Sequence, residues 1–114
     1  MATAEFAVAI PAVMLIATLA LAALTTALDT VRCVDAARAV ARLVARGDAP
    51  AAALEQGRRL APTGAAFTLA GTATTVEVRV VGRQASGLRW LGSPFRPSGD
   101  AVASREEALA GAVE

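Results

Sequence analysis

Residues 5–28 read EFAVAIPAVMLIATLALAALTTAL, and from Phe6 to Leu28 this stretch carries no charged residue. A helix of about 20 apolar residues is long enough to cross the hydrocarbon core of a bilayer. A cleaved secretory signal would start with basic residues and have an apolar region of about 7–15 residues. Here the start is acidic and the run is longer. The core helix of a soluble protein seldom stays uncharged over such a span, so the stretch reads as a retained membrane helix. Glu5 then sits at the edge of a membrane or inside it. A carboxylate there must be neutralised, either by protonation or by a cation at the same depth. No Arg precedes Arg32, so the only nearby cation is an amino terminus. In its own chain that group is four residues of helix away. The amino terminus of a neighbouring copy, shifted along the axis, serves better. This makes Glu5 a candidate register pin for helix assembly.

Within the apolar run, Pro11 lacks an N–H and crowds the carbonyl of Ala7, which predicts a kink or a local loosening. Small residues follow it, among them Ala17, Thr18, Ala20, Ala22 and Ala23, and these let helix backbones approach closely in lipid. Beyond Leu28 the helix is expected to continue. Asp29, Arg32, Asp35, Arg38, Arg42 and Arg46 recur every three or four residues on one face, with Cys33, Ala37, Val40 and Val44 on the other. The charged stripe, with Arg38 and Arg42 at its centre, is either an interaction surface or a solvated face. Cys33 is expected to pack rather than react.

Gly47 fits a helix C-cap, and Asp48 with Pro50 fits the start of a second helix running to residue 60 or 61. Its apolar side would be Ala53, Leu54, Gly57 and Leu60. The period then changes. Residues 66–70 and 75–81 read as a hairpin, with Val76, Val78 and Val80 facing one way and Glu77 and Arg79 the other. Gly and Pro punctuate residues 84–99, which read as a loop. Its Leu88, Trp90, Leu91 and Phe95 either cover the open end of the domain or form an exposed contact patch. Residues 100–105 offer a third strand, and the tail from Glu106 is expected to be frayed or briefly helical. The predicted fold class is α+β: a long N-terminal transmembrane and amphipathic helix, a short second helix, and a small antiparallel sheet of two or three strands. The divisions are residues 1–28 in the membrane, 29–47 as amphipathic continuation, and 48–114 as a small domain that leans on the helix.

Composition narrows the function. All eleven basic residues are Arg and the net charge is +1, so nucleic acid is not an expected partner. With no His and one Cys, an intrachain disulfide and a Cys/His metal cluster are both excluded. No His can act as a base near neutral pH. Gly82 to Gly87 has neither the spacing nor the Lys of a phosphate loop. Ser86, Ser93, Ser98 and Ser104 have no candidate base, and Glu106 and Glu107 are adjacent near a terminus. No enzyme activity, metal or cofactor is expected.

The segment Ala2-Thr3-Ala4-Glu5-Phe6-Ala7-Val8-Ala9-Ile10-Pro11 resembles the start of TadE-like minor pilins, or pseudopilins, of the tight-adherence (Flp, type IV) pilus system. Val34-Asp35-Ala36-Ala37-Arg38-Ala39, followed by Ala45-Arg46-Gly47-Asp48, is similar to that family's second signature, and the likeness is greatest to short actinobacterial members. The resemblance covers the first half of the chain well and the strand region in outline. It implies a precursor whose short basic leader ends in Gly and is removed by a prepilin peptidase. With Met1 as the first mature residue, Glu5 takes the family's fifth position and guides processing or docking, with Phe6 and Pro11 beside it. The implied partners are other pilin subunits, the pilus assembly machinery and membrane lipid. The small domain would lie outside the cytoplasmic membrane, and at the cell surface once assembled. The arginines of residues 32–46 would by themselves favour the cytoplasmic side; a basic leader restores the family's orientation. The alternative, from the residues alone, is a single-span anchor carrying a small extracytoplasmic binding or sensor domain, in which Trp90 and Phe95 matter more than Glu5.

Overall fold

The computed structural model describes residues 2–92 and 95–105. Met1, Ser93, the side chain of Leu91 and the tail from Glu106, on which some expectations fall, lie outside them. The elements in order are α1 (Ala2–Ala45), α2 (Pro50–Leu60), β1 (Ala66–Gly71), β2 (Thr75–Val81), a short 3-10 helix (Ser86–Leu91) and β3 (Ser98–Ser104). This is the expected α+β fold. At 1.5 Å per residue, α1 is about 65 Å long, and it dominates a molecule of 82 × 22 × 17 Å. Pro11 lies inside α1 without interrupting it. Since proline has no N–H to donate, the Ala7 carbonyl loses its usual partner four residues on.

The end of α1 is set by Gly47, whose φ is +103°. Its N–H donates to Val44 O at 3.1 Å, and the Asp48 N–H donates to Leu43 O at 3.0 Å. These two bonds are the Schellman pattern, which needs a left-handed residue where Gly47 stands. Asp48 does not cap the second helix as expected. The N-cap position is Ala49, which makes no side-chain bond, and Pro50 follows it. The Asp48 carboxylate instead accepts a hydrogen bond from Arg46 Nη2 at 3.0 Å. Ala53 and Gly57 are buried on α2 as expected and Leu54 half-buried, but Leu60 is 48% exposed.

The sheet is antiparallel with order β1-β2-β3. Its register places three rows across the inner face: Phe67–Val80–Gly99, Leu69–Val78–Ala101 and Gly71–Val76–Ala103. In the first two rows side-chain size falls from β1 to β3, and this grading positions the helices. A Cβ on Gly99 would collide with the backbone of Val34, so α1 lies directly on β3. At the other edge, a Cβ on Gly57 would collide with Val40 Cγ2 and stand 3.1 Å from Phe67, so α2 fills the space between α1 and β1. Val76, Val78 and Val80 are buried beneath, as their alternation predicts. The third strand begins at Ser98, two residues before the expected start, because Pro97 O accepts from Gly82 N–H at 2.8 Å and closes the ladder.

The small domain leans on α1 for its core. Of eleven buried residues in the main cluster, seven belong to α1: Cys33, Ala36, Ala37, Val40, Ala41, Val44 and Ala45. The outer sheet face carries Glu77, Arg79, Asp100 and Val102, all exposed.

Candidate functional site: the bare half of the first helix

None of the residues from Ala2 to Leu28 is buried. Val13, Met14, Leu15 and Ile16 follow one another at about 100° steps, and each stays more than half exposed. The helix is therefore apolar all round, as a membrane span is and a surface helix is not. It is long and apolar enough to cross a membrane. Three of its four threonine hydroxyls are already satisfied. The hydroxyls of Thr18, Thr25 and Thr26 donate to the carbonyls of Met14, Leu21 and Ala22 at 2.8, 2.9 and 2.9 Å. Such bonds to the preceding turn remove the cost of placing a hydroxyl in hydrocarbon.

The charged side chain of this stretch is Glu5. It is exposed, and no described residue forms an ion pair with it. Arg32, the first arginine, is 27 residues further on, about 40 Å along the axis. A cation for Glu5 must therefore come from the amino terminus or from another molecule. Phe6 is exposed on the next position and Pro11 lies less than two turns further along. These three share one end of α1.

The other singled-out residues lie at the opposite end of α1 and cannot share a site with Glu5. Arg38 and Arg42 are exposed on the charged face expected for residues 29–46, with Cys33, Ala37, Val40 and Val44 buried behind it. Arg42 also borders a groove between α1 and α2, with Leu43, Arg46, Arg59 and Leu60. Cys33 is fully buried, and burial, the negative charge of Asp29 and a backbone hydrogen bond act on its thiol; burial dominates and pushes it up from its ordinary value. That suits a packing residue rather than a nucleophile.

Residues 84–99 divide between a buried and an exposed set. Leu88 is 5% exposed and closes the end of the core, while Trp90 is 74% and Phe95 44% exposed. The Gln84 amide ties this segment together, donating to Leu88 O at 2.7 Å and Gly92 O at 2.6 Å. A feature that sequence reasoning missed lies beside it. Arg83, Arg89 and Arg96 border one groove with Gly64 and Gln84. No described carboxylate pairs with any of the three. Their irregular spacing in a Gly- and Pro-punctuated segment gave no periodic signal. Among the described residues no group of His, Cys, Asp and Glu is arranged to hold a metal. The chain matches no protein-family model, no curated protein and no solved structure.

Proposed function

We propose that this chain is a membrane-held minor pilin, whose α1 packs into a tight-adherence type IV pilus or primes its assembly. The observation that carries the reading is the apolar, unburied run of residues 6–28 headed by Glu5, which has no ion-pair partner among the described residues. The resemblance of residues 2–11 to TadE-like pilins points the same way. In this mechanism apolar contacts between neighbouring helices supply most of the association. They are tolerant of axial slippage. Glu5 removes that tolerance, because its carboxylate is matched only when a neighbour's amino terminus lies at the same depth. Phe6 and Pro11 shape the same helix end. Processing by a prepilin peptidase would set that amino terminus at Met1.

Replacing Glu5 with Ala tests this directly. The Glu5→Ala chain is expected to insert in the membrane as before but to be lost from sheared surface fibres. Normal incorporation of that variant would remove Glu5 from the mechanism. The N-terminal peptide mass of native protein gives an independent check: a processed end at Met1 in the fibre fraction agrees with the proposal, and an initiator end found only in membranes contradicts it.

The exposed Trp90 and Phe95, with the arginine-bordered groove beside them, favour a second reading: a single-span anchor displaying a small extracytoplasmic binding domain. Under it, substitution of Trp90 abolishes partner binding while Glu5→Ala has no effect.

A further inference from the structure

We propose that the end of the domain nearest Leu28 is a docking surface for anionic phospholipid headgroups. On this proposal Arg83, Arg89 and Arg96 contact lipid phosphates, and Trp90 and Phe95 enter the interfacial layer. The inference rests on α1 crossing a membrane, which both functional readings share, and not on fibre assembly.

The position of this surface follows from three contacts. A Cβ on Gly99 would strike the Val34 backbone, a Cβ on Gly82 would lie 3.4 Å from Cys33 Sγ, and Gly82 N–H binds Pro97 O. The base of the segment between β2 and β3 is thus fixed at the level of Cys33 and Val34. Every buried residue of α1 lies at or beyond Cys33, so the strand rows run from that level toward Ala45. The run of β2 from Thr75 to Val81 carries the chain beyond Gly82 the other way, toward Leu28; the 3-10 helix packs on α1, and Thr26, Asp29 and Thr30 are half-buried below Cys33.

The depth follows from length. Residues 2–28 span about 40 Å as helix, against a bilayer of about 40–45 Å including headgroups. Cys33 stands about 7 Å beyond Leu28. The segment therefore hangs into the headgroup layer of any bilayer that α1 crosses. Its chemistry suits that layer. The three arginines have no described acidic partner, and guanidinium pairs well with phosphate. Exposed Trp and Phe beside them match the amphipathic side chains that settle at membrane interfaces.

Trp90 is the chain's only tryptophan, so its fluorescence reports this site alone. The full chain is reconstituted into vesicles of phosphatidylglycerol or of phosphatidylcholine, each with and without brominated acyl chains. Docking predicts blue-shifted Trp90 emission and bromolipid quenching in phosphatidylglycerol, with both weakened in phosphatidylcholine and at high salt. A chain with R83Q, R89Q and R96Q should lose the preference for anionic lipid, each arginine being worth about fivefold in the docking equilibrium. The R83K, R89K, R96K chain should largely retain it, which separates charge from loss of fold. Emission and quenching indifferent to headgroup charge would overturn the proposal. So would the same spectral response to inorganic phosphate in detergent micelles, which indicates a soluble-anion site. A response that follows protein-to-lipid ratio instead of lipid charge would overturn it in favour of contact between copies. Each of these failures leaves the Glu5 fibre test untouched, and failure of that test leaves docking untouched.

Discussion

The two halves of α1 are one continuous helix with opposite relations to their surroundings. Residues 2–28 contribute no buried side chain, whereas seven residues between Cys33 and Ala45 form most of the domain core. Side-chain size runs opposite to burial: the bare half carries the large residues, with Ile10, Leu15, Ile16 and Leu21 exposed, and the packed half buries mainly alanine and valine. The difference lies in arrangement. Apolar residues on every side leave no polar face for water, so the first half is stable only when something apolar encloses it. Small apolar residues on one side, backed by arginines, allow a sheet to approach closely and the other side to stay wet. Helix content alone would not tell the halves apart; burial does.

The comparison breaks most sharply if one half is given the character of the other. Leu15→Arg places a charge near the centre of the bare half and should cost membrane insertion about 3–4 kcal/mol. The integrated fraction in a microsomal assay should fall steeply while thermal unfolding of the domain is unchanged. Gly99→Val does the converse. The new side chain meets the Val34 backbone, which cannot move as a side chain can. We expect a loss of about 3 kcal/mol or more of domain stability, read by near-ultraviolet circular dichroism of the micelle-held chain, with residues 2–28 still inserted.

A gentler probe is Cys33. Its folded-state pKa is raised by burial, so the native protein holds the thiol proton more tightly than the unfolded chain does. Below the unfolded thiol value, about 8.5, both states are neutral and the group adds no pH dependence. As pH rises through that value only the unfolded state ionises, and stability falls. The melting temperature should drop above about pH 8.5, and part of that drop should vanish in Cys33→Ala. A maleimide should label Cys33 only when the domain unfolds. The smallest effect is expected at Asp100, 4.0 Å from Arg79 on the open sheet face, with both side chains more than half exposed. Asp100→Asn should leave the melting temperature unchanged within error.

Much of this was legible in the residues. The strict alternation of 75–81 predicts β2 and its pairing with 66–70 as a hairpin. Gly47 and Pro50 bracket the turn between helices because left-handed φ and a missing N–H are properties of those residues alone. The absence of charge from Phe6 to Leu28 marks the bare half, and Glu5 stands out against it. What was not legible depends on distances between elements remote in sequence. Gly57 reads as one position on the apolar side of α2 and Gly99 as loop punctuation; that α1 lies against both shows only in the fold. Asp48 had the right type and place for a cap, but a pairing with Arg46 won. Leu60 fits the apolar face of α2 by period, yet it ends on the open groove between the helices, 48% exposed. Arg83, Arg89 and Arg96 converge only because β2 and β3 end side by side.

The absence of a joint between Leu28 and Cys33 has a mechanical consequence. The domain has no swivel of its own; in a bilayer crossed by α1, its azimuth would be that of the helix. Ala45 lies about 25 Å beyond Leu28, so a helix tilt of about 20° carries that end sideways by roughly 9 Å. Rotation of α1 about its axis sweeps the sheet through the same angle. In such a bilayer, whatever sets the pose of the bare half, lipid thickness or a neighbouring helix, would thereby aim the domain.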